Sequence, residues 1–182
     1  MAPFASTTEL QNWLQETSID TAAATLAVNI ASSTIRTHCG WSISQEADVT
    51  AVLDGSGSRW MWLPTLKLTA VTSVEVNGDP LVAVTDFDWT SYGKLIHRGR
   101  WPTTPRSVEV VYTHGYETVP DVVKGVCLML AARLYNNPEA LKSRSEAWGP
   151  FNESVSYADV AGPGLSMQEM ELLGSFKLEH VG

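Results

Sequence analysis

Residues Ser107 to Pro138 read SVEVVYTHGYETVPDVVKGVCLMLAARLYNNP, and a change of period inside this stretch decides the fold. Ser107 to His114 follows the two-residue period of a strand. Val119-Pro120-Asp121 then starts a helix. Proline in the first turn lacks an N–H that would have no intrahelical partner, and the aspartate meets the positive end of the helix dipole. Within the helix Val122, Val123, Val126, Cys127, Leu130 and Leu134 form one stripe, while Leu128, Met129, Ala131 and Ala132 cover most of the rest. A helix apolar nearly all round must be covered nearly all round, by the chain's own core or by a neighbouring subunit.

Working upstream, the period stays at two as far back as Val49. Ala47 to Leu53, the turn Asp54-Gly55-Ser56-Gly57 and Ser58 to Leu63 predict one hairpin; Val71 to Val76, Asn77-Gly78 and Leu81 to Val84 predict another. Phe87 to Trp89 and Lys94 to Arg98 add further strands. Ahead of these, Ser6 and Glu9 form a capping box that predicts a helix from Thr7 to Leu14, burying Leu10, Trp13 and Leu14. Asp20 caps a second helix, Thr21 to His38, with Ala23, Leu26, Ala27, Ile30 and Thr34 on its inner face and Gly40 as its stop.

Downstream of Pro138, a helical turn is expected from Glu139 to Glu146, then an extended arm from Trp148 to Pro163. Ser166 and Glu169 repeat the capping box and open a last helix carrying Met170, Leu172, Leu173 and Phe176. The expected class is therefore α+β in a single domain, 1–182. Helices within 6–40 and 119–147 form a bundle, a β-rich insert occupies 47–116 between the second and third helices, and an arm and helix occupy 148–182.

The 182 residues are 44% apolar and 18% charged, which suits a domain able to bury a core. The longest apolar run, Gly125 to Ala132, is too short to cross a bilayer, and the first six residues lack the basic and apolar regions of an export signal. A net charge of −8 argues against a protein that grips nucleic acid by neutralising phosphates. It leaves room for DNA that passes without being held. Cys39 and Cys127 match no zinc or redox spacing and read as reduced thiols packed in helices. Seven tryptophans, at 13, 41, 60, 62, 89, 101 and 148, are many for this length.

Little points to catalysis. There is no phosphate-binding glycine loop and no glycine-flanked serine elbow. His38, His97, His114 and His180 are spread out, none with a second ligand at metal spacing. Asp86 and Asp88 share a strand face, which reads as solvated. Arg98, Arg100 and Arg106 surround Trp101, a small basic cluster better suited to a subunit boundary than to nucleic acid.

The quoted block, with Tyr-Thr-His-Gly-Tyr leading through Val-Pro-Asp into an alanine-rich helix closed by Asn-Pro, resembles tailed-phage head-to-tail adaptors, also called head completion or connector proteins. Val71-Thr-Ser-Val-Glu-Val-Asn-Gly, Trp101-Pro102, Ser154-Val-Ser-Tyr157 and Gly164-Leu-Ser with Glu169, Leu172 and Leu173 fit the same pattern. Trp60-Met61-Trp62 departs from it. The resemblance implies a structural virion protein, with no enzymatic activity and no cofactor, assembled as a ring of typically twelve copies beneath the portal. The ring would extend the DNA channel and dock the next neck, stopper or tail-completion protein, with genomic DNA as cargo and no membrane involved.

On this reading Trp148, Phe151, Val155, Tyr157, Leu165, Leu172, Leu173 and Phe176 would dock the portal. Trp60, Trp62, Arg98, Arg100, Trp101, Leu128 and Met129 would meet neighbouring copies. An acidic bore would repel the DNA backbone and let it slide. Two rivals remain. One is a carbohydrate-binding β module stacking sugars on Trp60, Trp62, Trp89 and Trp101; the other is an enzyme built on Asp86, Asp88 and His97.

Overall fold

The structure, a computed structural model, describes residues 1–139, 143–148, 151–156 and 162–178. It is mixed α and β, with helices α1 (Thr7–Leu14), α2 (Thr21–Cys39), α3 (Asp121–Asn136) and α4 (Met167–Leu172). The strands among the described residues are β1 (Glu46–Leu53), β2 (Trp60–Trp62), β3 (Leu68–Val76), β4 (Asp79–Pro80), β5 (Phe87–Trp89), β6 (Lys94–His97), β7 (Val108–His114), β8 (Ser143–Trp148) and β9 (Phe151–Ser156). Two units result: a helical one from Met1–Cys39 with Val119–Ser175, and a strand one from Gly40–Thr118 with Phe176–Gly182.

In the helical unit both capping boxes form. The Ser6 hydroxyl accepts the Glu9 N–H at 3.1 Å and the Glu9 carboxylate accepts the Ser6 N–H at 2.7 Å, satisfying two donors that a helix start would otherwise leave unpaired. Asp20 Oδ1 does the same for the N–H groups of Ala22 and Ala23. α2 and α3 pack through Ala24, Ala27, Val28, Ala31 and Ile35 on one side and Val123, Val126, Cys127, Leu130 and Ala131 on the other. The inner face of α2 is thus turned by about one residue from the expected one, and Leu26 and Ile30 lie outside. Small residues let the helix axes approach closely; a face led by Leu26 and Ile30 would hold them apart. Trp13 is also exposed, leaving Leu10 as the buried anchor of α1.

Beyond α3 the expectation of a helical turn and an extended arm gives way to a ribbon. The helix stops at Asn136, ahead of Pro138, and β8 pairs antiparallel with β9 from Ser143↔Ser156 to Trp148↔Phe151. Residues 139–146 read EALKSRSE, whose adjacent Ala140 and Leu141 supply no apolar stripe that could hold a helix against a core.

The strand unit contains a four-stranded sheet in the order β1-β7-β3-β4 and a three-stranded sheet in the order β2-β6-β5. Their shared core holds Met61, Leu63, Leu68, Val74, Phe87, Leu95, Trp101, Val108, Val110 and Tyr112. β7, the strand of the quoted block, is central and pairs with both β1 and β3. The first expected hairpin does not form, because β1 and β2 belong to different sheets. Their glycine-rich linker instead hydrogen-bonds to another segment, the Gly55 and Gly57 N–H groups donating to Thr104 and Pro102 carbonyls at 3.0 and 2.9 Å. A side chain at Gly55 would collide with the Pro102 carbonyl. The second hairpin forms in miniature. Asn77 and Gly78, both at positive φ, make the two-residue turn, but β4 is only Asp79–Pro80 and the expected strand Leu81 to Val84 is a loop.

Candidate association surfaces

The groups considered for catalysis are engaged structurally. Asp86 Oδ2 accepts the Val82 N–H at 2.8 Å, Asp88 pairs with Arg98 at 2.9 Å, and His97 Nδ1 accepts the Gly99 N–H at 2.8 Å. Among the described residues no group of three His, Cys, Asp or Glu side chains is placed to hold a metal ion. Cys39 and Cys127 are both buried, and burial pushes the Cys127 thiol up from its ordinary range. His114 lies between the rings of Trp41 and Tyr112, at centroid distances of 6.2 and 5.2 Å. Burial lowers its pKa, with Glu46, 3.9 Å from Nε2, acting the other way. Burial, with the Glu46 charge, pushes the neighbouring Tyr112 hydroxyl up to about 12.

Among the described residues, apolar side chains are exposed on three surfaces. Trp60 and Trp62 share the outer face of β2, 53% and 44% exposed, with the Lys94 ammonium 4.2 and 5.4 Å from their ring centroids. That geometry gives two cation–π contacts. Ile96 and the Asp88–Arg98 pair continue the face by register. Trp101, in contrast, is 2% exposed in the strand unit's core, so the expected role as a neighbour contact is withdrawn for it. Trp89 pairs with Leu95 on the opposite side of the sheet from Trp60 and Trp62. Four rings on one platform, which the carbohydrate reading needs, are therefore not assembled.

A second surface lies on the helical unit. The exposed residues of α2 are Thr21, Ala22, Ala23, Thr25, Leu26, Asn29, Ile30, Ser33 and Thr37, none charged. At its far end α2 meets Pro163, Gly164, Leu165 and Met170 across a groove of about 480 Å³, with Ser33, Thr34, Thr37 and His38 as the other wall. An ion pair holds the Pro163–Met170 wall in place. Glu169, almost wholly buried, accepts from the Arg133 guanidinium at 3.1 and 3.3 Å and from the Ser166 N–H at 2.7 Å, while Arg133 Nη2 donates to the Gly164 carbonyl at 2.7 Å. One carboxylate thus caps α4 and latches it to α3.

A third surface is the loop Leu81 to Thr85, which exposes Val82 at 60% and Val84 at 71%. Val84 has φ of 71°, a left-handed conformation that a β-branched residue seldom adopts. The loop is braced from within: Val84 N–H donates to the Phe87 carbonyl, the Asp86 N–H to the Val82 carbonyl, and Arg98 Nη2 to the Val84 carbonyl at 3.0 Å.

The expected contact residues fall in several places. Arg98 and Arg100 are exposed, Leu128 is buried and Met129 half-buried. Of the expected arm, Leu165 borders the groove, Leu172 is exposed and Leu173 is enclosed in the helical unit. Phe176 packs against Tyr116, its carbonyl accepting the Trp41 indole N–H at 2.7 Å. Tyr157 lies outside the described residues, as do the side chains of Trp148, Phe151 and Val155. The uncharged face of α2 was legible as fifteen residues, Thr21 to Ile35, without a charge. The Val82–Val84 loop was hidden by its strand-like composition.

Comparison with known proteins agrees with this architecture. Chains with the same fold occur in the neck of a native GTA particle computed with C12 symmetry (TM-score 0.62, 17% identity, covering 96% of this chain and 88% of that one). They also occur in the neck of an empty GTA particle computed with C6 symmetry (0.61, 16%, 97% and 91%) and in the virion of a native gene transfer agent particle (0.61, 17%, 97% and 91%). No curated protein sequence matches the chain. The family described as head completion protein matches residues 4–161, which include most of both units, and the chain belongs to that family.

Proposed function

We propose that the protein is a structural connector of the virion neck, assembled as a homo-oligomeric ring between head and tail. In this reading the ring sits beneath the portal, extends the DNA channel and offers its far side to the next neck or tail-completion protein. The match to the head completion family over residues 4–161 carries the proposal. Three surfaces with exposed apolar residues in a chain of 182 residues support it, since scattered apolar residues need no explanation but organised patches mark association sites. A ring requires heterologous contact, one patch of a subunit against a different patch of the next. The net charge of −8 suits a bore through which DNA slides without being bound.

The β8–β9 ribbon is the proposed portal-docking element, carrying Trp148, Phe151 and Val155 and continued by Tyr157. A two-stranded ribbon is marginal alone in water, so a partner surface would stabilise it. Leu165, Leu172 and Phe176 are secondary members, and Leu173 is wholly buried within the chain.

The test is the mass of the purified protein alone and then mixed with portal protein, followed by a cryo-EM view of the neck. A ring bound to portal, with acidic side chains outnumbering basic ones on its inner wall, is the expected result. A protein that neither multimerises nor binds portal would overturn the reading, and an Arg/Lys-lined bore would overturn the sliding argument.

A further inference from the structure

We propose that the Val82–Val84 loop of one copy seats in the α2/α4 groove of a second copy, and that this knob-in-groove contact is the repeating joint of the ring. The assignment rests on the ring reading above and specifies which two surfaces close it.

Charge selects the pair. The groove walls, Ser33, Thr34, Thr37, Pro163, Gly164, Leu165 and Met170, hold no charge apart from what His38 can acquire, and the α2 face running up to them holds none. A charged group buried there would lose its hydration without gaining a partner. That disfavours the Trp60–Trp62 face, where the Lys94 ammonium lies against both rings. The loop Leu81-Val82-Ala83-Val84-Thr85 has no charged side chain of its own, and the one cation shown touching it, Arg98 at the Val84 carbonyl, is paired with Asp88 at 2.9 Å. Its nearest carboxylate, Asp86, is turned inward to accept the Val82 N–H. The cores of protein interfaces are depleted of charge in this way.

Exposure and rigidity point to the same pair. The loop presents two valines to solvent, and the open groove is lined mostly by apolar atoms. Val84 is held at φ 71° by the internal hydrogen bonds of the loop and by Arg98, which Asp88 fixes in turn. Backbone strain of this kind persists only where the surroundings over-determine it, and it concentrates at binding elements. A braced loop also loses little conformational entropy on docking. The two surfaces differ and lie on separate units, which makes the contact heterologous, as a cyclic assembly requires.

The test is disulfide trapping. Val82→Cys and Ser33→Cys are made in separate tagged and untagged chains; both positions are exposed and the native Cys39 and Cys127 are buried. Mixed with portal under mild oxidation, the two variants are expected to yield the mixed disulfide about tenfold over either homodimer, the selectivity that ~1.4 kcal/mol of specific contact provides. Val84→Asn in the Val82→Cys chain keeps a residue that tolerates left-handed backbone but removes the apolar contact, and should abolish that excess while the chain remains folded by circular dichroism. Equal yields of mixed and homodimeric products, or no mixed product at saturating protein, overturn the proposed joint. Wild-type chain that forms a multimer on portal while the mixed disulfide stays absent retires this joint alone. Wild-type chain that never multimerises retires the ring reading with it.

Discussion

Replacing Glu169 by glutamine should detach α4 from the rest of the helical unit, and the size of the effect follows from the contacts. Glu169 is almost wholly buried and its carboxylate receives three hydrogen bonds, two from Arg133 and one from the Ser166 N–H. Removing one member of a buried ion pair costs about 3–5 kcal/mol because the other charge is left uncompensated. Here the loss should sit at the low end, about 3 kcal/mol. Arg133 keeps its bond to the Gly164 carbonyl and some access to water, and a glutamine amide can still accept the Ser166 N–H. α4 has only six residues, too few to persist as a helix without packing. The loss should therefore show as local opening: amide exchange across residues 166–173 accelerates by about two orders of magnitude, while α2 and α3 remain protected. Arg133→Met should match it, and the double variant should cost much less than the sum, since it buries no lone charge. Additive costs in that cycle, or single substitutions costing under about 1 kcal/mol, would refute the latch.

Three further outcomes are expected. The hydrogen bond from Lys124 and the Ser6 N–H hold the Glu9 carboxyl down at about 2 from a usual 4.5, so its contribution is complete above about 4.5 and is lost as the pH falls toward 2; Lys124→Met should move the carboxyl up toward its usual value in an NMR titration, and an unmoved midpoint counts against the pair. Because burial lowers the pKa of His114, the unfolded chain takes up that proton first, so stability should fall as pH drops below about 6.5, and His114→Phe should flatten that segment of the pH profile in urea denaturation. Trp101→Ala should cost about 3–5 kcal/mol as a core truncation, whereas Trp60→Ala on the exposed face should stay within about 1 kcal/mol; comparable losses would mean that the two rings have been assigned to the wrong environments.

The parts of the fold readable in the sequence are those fixed by neighbours in the chain. Both capping boxes, the Val-Pro-Asp start of α3 and the Asn77-Gly78 turn depend on a few consecutive residues and form as expected. Pairing is a different matter, because a period of two specifies a strand and not its partner. β1 therefore lies beside β7, more than fifty residues later, and not beside β2. The period of α2 also fits a face with Ala23, Leu26 and Ile30, and only close approach to α3 favours the one with Ala24, Ala27 and Ala31. The polar neighbours Arg98 and Arg100 suggest an exposed Trp101, although its ring packs inward against His97 at 4.9 Å. Apolar character alone does not separate buried Leu173 from exposed Leu172.

An acidic chain that must stand beside copies of itself faces mutual repulsion, and the uncharged surfaces bear on how that is met. Each copy carries −8, and at physiological salt a charge is felt over about 8 Å. A contact with carboxylates on both sides would oppose assembly over that range. The exposed side of α2 and the Leu81–Thr85 loop are free of charge, so a joint made there keeps the acidic residues at the rim, where water and counter-ions screen them. Apolar contact would then supply the attraction and net charge the opposition. Raising salt from ~0.05 M to ~0.5 M shortens the screening length about threefold, which should strengthen association between copies. It should do so more than it weakens any pairing through Arg98 or Arg100, since exposed ion pairs contribute at most about 1 kcal/mol. Sedimentation velocity across that range, on the protein with portal, reads the sign directly. Association that weakens with salt would mean that the copies are joined by ion pairs, and the uncharged loop and groove would lose their place at the joint.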